Sequence, residues 1–260
     1  MVTDTWPKLI DAAAVCEVFW RTPDGSPHTI AATPLLWRDK PSLCFTYAHA
    51  ATARSIATAD SVAIVLSDPR LSGGAWAPIT ITGRPHLTED TSGDVFAGSL
   101  LLQELRKYPP SRTLADSPLL RREHWWYVLR LVVTVEPTHF AQPAPRRDGT
   151  GAVMATFGHG VQVATVTAPP ETSRITPLMS LSRQPLPAPG PAIVLQHDFS
   201  VPDRELNSSL ITTGDWDGEL LTVTARRGAA HLPSPPSLLA RMRSQYRLSR
   251  DCRKALADIG

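Results

Sequence analysis

Cysteine, lysine and long apolar runs are scarce in this chain, and each scarcity removes a class of protein. The three cysteines, Cys16, Cys44 and Cys252, are far apart, odd in number and form no C-x-x-C pair. A disulfide framework and a zinc cluster are both disfavoured, and Cys16 and Cys44, inside apolar runs, read as buried thiols of a reducing compartment. No window approaches the roughly 18 uninterrupted apolar residues of a spanning helix. The N-terminal stretch, broken by Asp4 and Asp11, makes a poor signal peptide. The expectation is a soluble, cytoplasmic protein without a membrane partner. Only four of the 26 basic residues are lysines, and the formal net charge is +2, so nucleic acid is not an expected partner either.

Local signatures are missing as well. There is no G-x-S-x-G, G-x-G-x-x-G or P-loop, which disfavours hydrolase chemistry and Rossmann-type dinucleotide binding. The eight histidines (His28, His49, His86, His124, His139, His159, His197 and His231) are isolated, so no metal site is expected.

What the chain does contain is strand signal. Val15–Thr22 is rich in β-formers and stops at Pro23-Asp24-Gly25-Ser26-Pro27; His28–Trp37 resumes, Arg38–Pro41 turns the chain, and Leu43–Tyr47 follows. Short connections predict an antiparallel meander for these three runs. Ala50–Asp60 is alanine-rich without Gly or Pro and reads as a short helix. Val62–Leu66 reads as a buried strand, Trp76–Leu87 as another strand, and Val95–Lys107 as a helix with an apolar stripe at Phe96, Leu100, Leu101 and Leu105. Trp125–Val135 is the longest strand signal. From Gln142 the composition shifts: 142–151 and 185–191 read as linkers, with weaker strands at Val161–Thr167, Ile193–His197 and Leu220–Thr224. A basic helix closes the chain from Ser237 to Ile259, its apolar side predicted to pack on the barrel or on a partner subunit. The expected fold is mainly β (α+β): an antiparallel split β-barrel over 12–140, a linker over 141–151, and a C-terminal β/α extension over 152–260.

From His28 to Glu89 the order of elements is two strands, an Ala-rich helix, a buried strand, a glycine-containing loop and a strand ending Gly83-Arg84-Pro85-His86-Leu87. This order resembles the pyridoxamine 5′-phosphate oxidase-like split-barrel superfamily, over about half of the chain. The resemblance implies an oxidoreductase using FMN or the deazaflavin F420, with the cofactor at a homodimer interface and a small-molecule substrate. It also implies two alternatives on the same fold, a haem-binding or haem-degrading protein and a catalytically silent binding module.

A flavin phosphate needs fixed donors. Thr46, Thr52, Arg54 and Ser55 would bring three hydroxyls and one guanidinium to one helix start beside Tyr47. The family's Ser-Arg-Lys positions, however, read Ala50-Ala51-Thr52, and Arg54 falls about 200° round the helix from them. His49, at the strand-to-helix corner, is the candidate haem ligand. Trp126 is a candidate ring contact, because the resemblance sets the last strand beside the cofactor. The expected cofactor-binding residues are thus Thr46, Tyr47, His49, Thr52, Arg54, Ser55 and Trp126, and no catalytic residue is assignable.

Overall fold

Residues 5–146, 150–158, 160–182 and 184–258 are described by the computed structural model. Residues 147–149 of the expected linker, His159, and Ile259 of the expected terminal helix lie outside them. In chain order the first part contains α1 (Trp6–Ala12), β1 (Cys16–Arg21), β2 (Pro27–Ala32), β3 (Leu35–Trp37), β4 (Lys40–Phe45), α2 (Ala50–Ala57), β5 (Val62–Leu66), β6 (Ile79–Asp90), α3 (Leu101–Lys107), three short helices α4 (Arg112–Ala115), α5 (Pro118–Glu123) and α6 (Trp125–Val128), and β7 (Arg130–Ala141). The second part contains β8 (Ala152–Phe157), β9 (Val161–Val166), β10 (Ile175–Pro177), β11 (Gly190–Phe199), β12 (Asn207–Trp216), β13 (Leu220–Ala229) and α7 (Leu238–Ala257).

The fold is mainly β with α+β character, and its first sheet is a split barrel. That sheet runs β2-β1-β5-β6-β7-β4-β3, antiparallel throughout. Its inner face carries alternate residues such as Val18, Trp20, Ile64, Leu66, Ile81, Leu43 and Val133, which form one hydrophobic cluster with Ile56 of α2. The predicted meander of three strands does not form. The run from His28 to Trp37 breaks at Thr33-Pro34, and its two pieces go to opposite ends of the sheet. Pro34 has no N–H to continue a ladder. Arg38 and Asp39, at φ 50° and 55°, make the tight turn from β3 to β4.

The second sheet, β10-β13-β12-β11-β8-β9, covers the outer face of β1 and β5. Phe19, Ala63 and Val65 meet Val153, Ala155, Phe157, Ile193 and Leu195 there. Both faces of β5 are therefore buried, which explains why all five of its residues are apolar. Trp125–Val128 is a helical turn, a correction to the strand reading of that stretch. Trp126 and Tyr127 pack edge-on against each other, and Tyr127 packs edge-on against Phe96, which holds the turn closed before β7 begins at Arg130.

The interface between the sheets also holds charge. Glu17, on the same face of β1 as Phe19, is fully buried with Asp68 and with Arg146 from the stretch after β7. Arg146 Nη2 lies 3.1 Å from Glu17 Oε1 and 3.0 Å from Asp68 Oδ2. Its Nε donates to Ser67 Oγ at 3.0 Å, and Ser67 Oγ donates to Glu17 at 2.7 Å. His197 of β11 adds a 2.8 Å contact from Nε2 to Glu17. Burial pushes the Glu17 carboxyl up, but Arg146, His197 and Ser67 outweigh it and leave the group below its ordinary range.

Candidate functional site

The two ends of the split barrel, β2 and β3, bound a cavity of about 390 Å³. Ile30, Ala31 and Ala32 of β2 form one wall, and Leu35 of β3 with Cys44 and Phe45 of β4 form the other. Glu104, Tyr108, Tyr127 and Arg130 come from the helical segment and the start of β7, while Phe199 of β11, Ser208 of β12 and Arg204 of the connection between them close the cavity. The site exists because the barrel is open on this side and the second sheet reaches across the opening.

Several devices hold the walls in place. Gln103 on α3 accepts from the Leu36 N–H at 2.9 Å and donates to the Leu36 carbonyl at 2.8 Å, so the edge strand β3 has a side-chain substitute for a neighbour. Lys107 Nζ donates to the Ile10 carbonyl at 2.6 Å and the Pro34 carbonyl at 2.7 Å, fixing the break between β2 and β3. Burial brings this amine down to about 7.

The polar wall is a buried group. Arg130 Nη2 lies 3.3 Å from Glu104 Oε1, which accepts from Tyr127 OH at 2.5 Å and from Ser111 Oγ at 2.7 Å. Burial followed by the Glu104 charge raises the Tyr127 hydroxyl well above its usual range, so it remains a donor. The Arg130 guanidinium lies over the Phe96 and Tyr127 rings at 4.0 and 3.9 Å, and its buried Nε has no partner among the described residues. Arg204 lies deeper in chain order, beyond β11, and is 4% exposed.

The predicted site residues part company. Thr46 and His49 line the cavity. Burial, followed by the Arg130 charge, lowers the His49 pKa, so its imidazole is neutral at physiological pH. Tyr47 turns into the barrel core. Thr52 is half-buried on α2. Ser55 Oγ accepts from Trp20 Nε1 at 2.9 Å. Arg54 pairs with Glu89 at 3.1 Å on the outside of the barrel. Trp126 lines a separate groove with Met242, Gln245 and Tyr246 of α7. The structure therefore brings Thr46 and His49 to the cavity and leaves the other five off its wall. The cavity cations Arg130 and Arg204 were not anticipated. Arg130 stood inside an apolar strand pattern, which is a usable signal for a buried paired charge; Arg204 offered none.

No described helix is long and apolar enough to cross a membrane, and no group of metal-ligating side chains occurs among the described residues. No protein-family profile and no curated protein matches the chain. Solved structures show partial likeness. An F420 reductase is 20% identical with a TM-score of 0.36, over 52% of this chain and 94% of that one. The haem storage protein HutZ of Vibrio cholerae is 10% identical with a TM-score of 0.37, over 54% and 94%. A putative pyridoxamine 5′-phosphate oxidase of Listeria innocua is 17% identical with a TM-score of 0.35, over 54% and 97%. Each of these likenesses spans about half of this chain.

Proposed function

We propose that this chain is a split-barrel oxidoreductase that holds an anionic conjugated cofactor, FMN or F420, in the cavity at the open side of its barrel. One observation carries the reading: buried guanidiniums with unpartnered Nε atoms, Arg130 and Arg204, line a cavity that Phe45, Tyr108, Tyr127 and Phe199 also line. Aromatic side chains suit a planar ring, and buried cations suit an anionic tail. Arg130, Arg204, Tyr108 and His49 would hold the group, which when bound supplies hydride or electron transfer. The chain's own part is to exclude water and orient the ring, with Glu104 and Tyr127 fixing Arg130. A homodimer is the proposed working unit, supported by the exposed apolar side chains Leu119, Trp125, Met242 and Tyr246.

The test is an absorbance titration of the purified protein with FMN, F420 and haemin, alongside light scattering. Micromolar FMN or F420 binding that weakens about tenfold in Tyr108→Ala is expected. If neither binds, the cofactor reading fails. A second reading has its own support in the neutral His49 imidazole on the cavity wall, which suits a haem ligand. A Soret band abolished by His49→Ala would favour it.

A further inference from the structure

Three arginines are buried among the described residues. Arg130 pairs with Glu104, and Arg146 pairs with Glu17 and Asp68. Arg204 has no carboxylate partner among the described residues. Its Nη1 is used internally, donating to the carbonyls of Ala14 at 2.6 Å and Lys107 at 3.0 Å and to Thr33 Oγ1 at 3.5 Å. The opposite edge of the fork, Nε and Nη2, makes no hydrogen bond among the described residues, and Nε is out of solvent. The guanidinium is flanked by the Tyr108 and Phe199 rings, 5.2 Å from each centroid, so its plane is fixed. A guanidinium without a counter-charge is costly to bury, and this one lines the same cavity as Val15, Ile30, Leu35 and Phe45.

We infer that Arg204 is the oxyanion-binding residue of this cavity, its unpartnered Nη2 donating to a carboxylate or phosphate while an apolar body lies against Ile30, Leu35 and Phe45. The inference rests on the cavity being the binding site, as proposed above, and goes further by naming the chemical group recognised. A guanidinium held between two rings presents Nη2 as a directed donor to either oxyanion, whereas an ammonium is a point charge. It also assigns the second sheet a part in recognition, because Arg204 lies in the connection from β11 to β12. Burial lowers the pKa of Arg204, in line with a site that gains from an arriving anion.

The experiment uses the full chain, ¹⁵N-labelled, with phenyl phosphate, benzoate and neutral benzyl alcohol as probes. Calorimetry is expected to show binding of at least one anion and none of the alcohol. Arg204→Gln should weaken that anion at least tenfold, with Arg204→Lys failing to restore it fully. In the wild type, the Arg204 Nε–H resonance, assigned by its loss in Arg204→Lys, should move with the anion; this readout stands even if Arg204→Gln folds poorly. Which probe binds more tightly separates phosphate from carboxylate recognition. Equal anion binding by Arg204→Gln, or no response to either anion up to about 10 mM, overturns the inference. Anion binding through Arg204 without FMN or F420 binding sustains the oxyanion site and removes the cofactor reading. FMN binding indifferent to Arg204→Gln, with neither anion bound, does the reverse.

Discussion

Arg146 Nη2 lies 3.0 Å from Asp68 Oδ2 with both side chains wholly out of solvent, in a stretch whose composition reads as linker. Removing one partner of a buried pair leaves the other charge uncompensated. Arg146→Met is expected to cost about 3–5 kcal/mol in urea unfolding. Burial raises the Asp68 carboxyl, yet Arg70 and Arg146 hold it below its ordinary range, as Arg146 and His197 do for Glu17. Their contribution is present above the unfolded carboxylate pKa of about 4 and is lost as pH falls through the lowered folded values. Arg146→Met should therefore unfold at a higher pH on acid titration, and an unchanged acid midpoint would count against the pairing.

His197 adds a separate pH dependence. Burial, and after it the Arg146 charge, holds its imidazole below the usual histidine range. The unfolded chain takes up a proton near pH ~6.5 that the folded chain accepts only at lower pH, so stability is full above that value and declines below it. His197→Gln should flatten the loss of unfolding free energy between about pH 7 and about pH 5. An unaltered slope would remove His197 as its source.

Gly83 stands at the register shift between β6 and β7, where an added Cβ would lie 2.1 Å from the Glu136 carbonyl oxygen. Backbone cannot yield there as a flexible side chain could. Gly83→Ala should cost about 3 kcal/mol or more, measured by denaturant melt. Gly98 has open space at the same position, and Gly98→Ala should be neutral or stabilising by up to about 1 kcal/mol.

Arg54 was expected at a phosphate corner, but it pairs with Glu89 at 3.1 Å with side chains 49% and 35% exposed. Arg54→Ala should change stability by less than about 1 kcal/mol. It should also leave FMN and phenyl phosphate affinities unchanged, because Arg54 does not line the cavity. A tenfold loss of either affinity would return Arg54 to the site.

The legible parts of the fold were those in which local pattern and burial agree. β1, α2 and β5 follow from a β-former run, an alanine-rich run and an apolar run, and each ends within a few residues of its expected limit. Trp125–Val128 misled because aromatic and β-branched residues carry strand propensity, while packing against Phe96 selects a helical turn. β12 went unread because Ser208, Thr212 and Thr213 dilute its apolar alternation. At the site, Thr46 and His49 were legible from the strand-to-helix corner. Arg204 was not, since a single arginine in a loop has no periodicity and its burial arises only when the second sheet closes over the barrel.

Arg146 has a consequence for the order of synthesis. All seven strands of the barrel are complete at Ala141, five residues before the guanidinium that neutralises Glu17 and Asp68 and well before His197. A nascent chain leaving the ribosome with the barrel alone presents Glu17 without Arg146 and leaves Asp68 with Arg70 only, beside an uncovered apolar face at Phe19, Ala63 and Val65. The barrel is therefore poorly suited to settling co-translationally as a finished unit. Its outer face is covered only when β8 and β11 have been made.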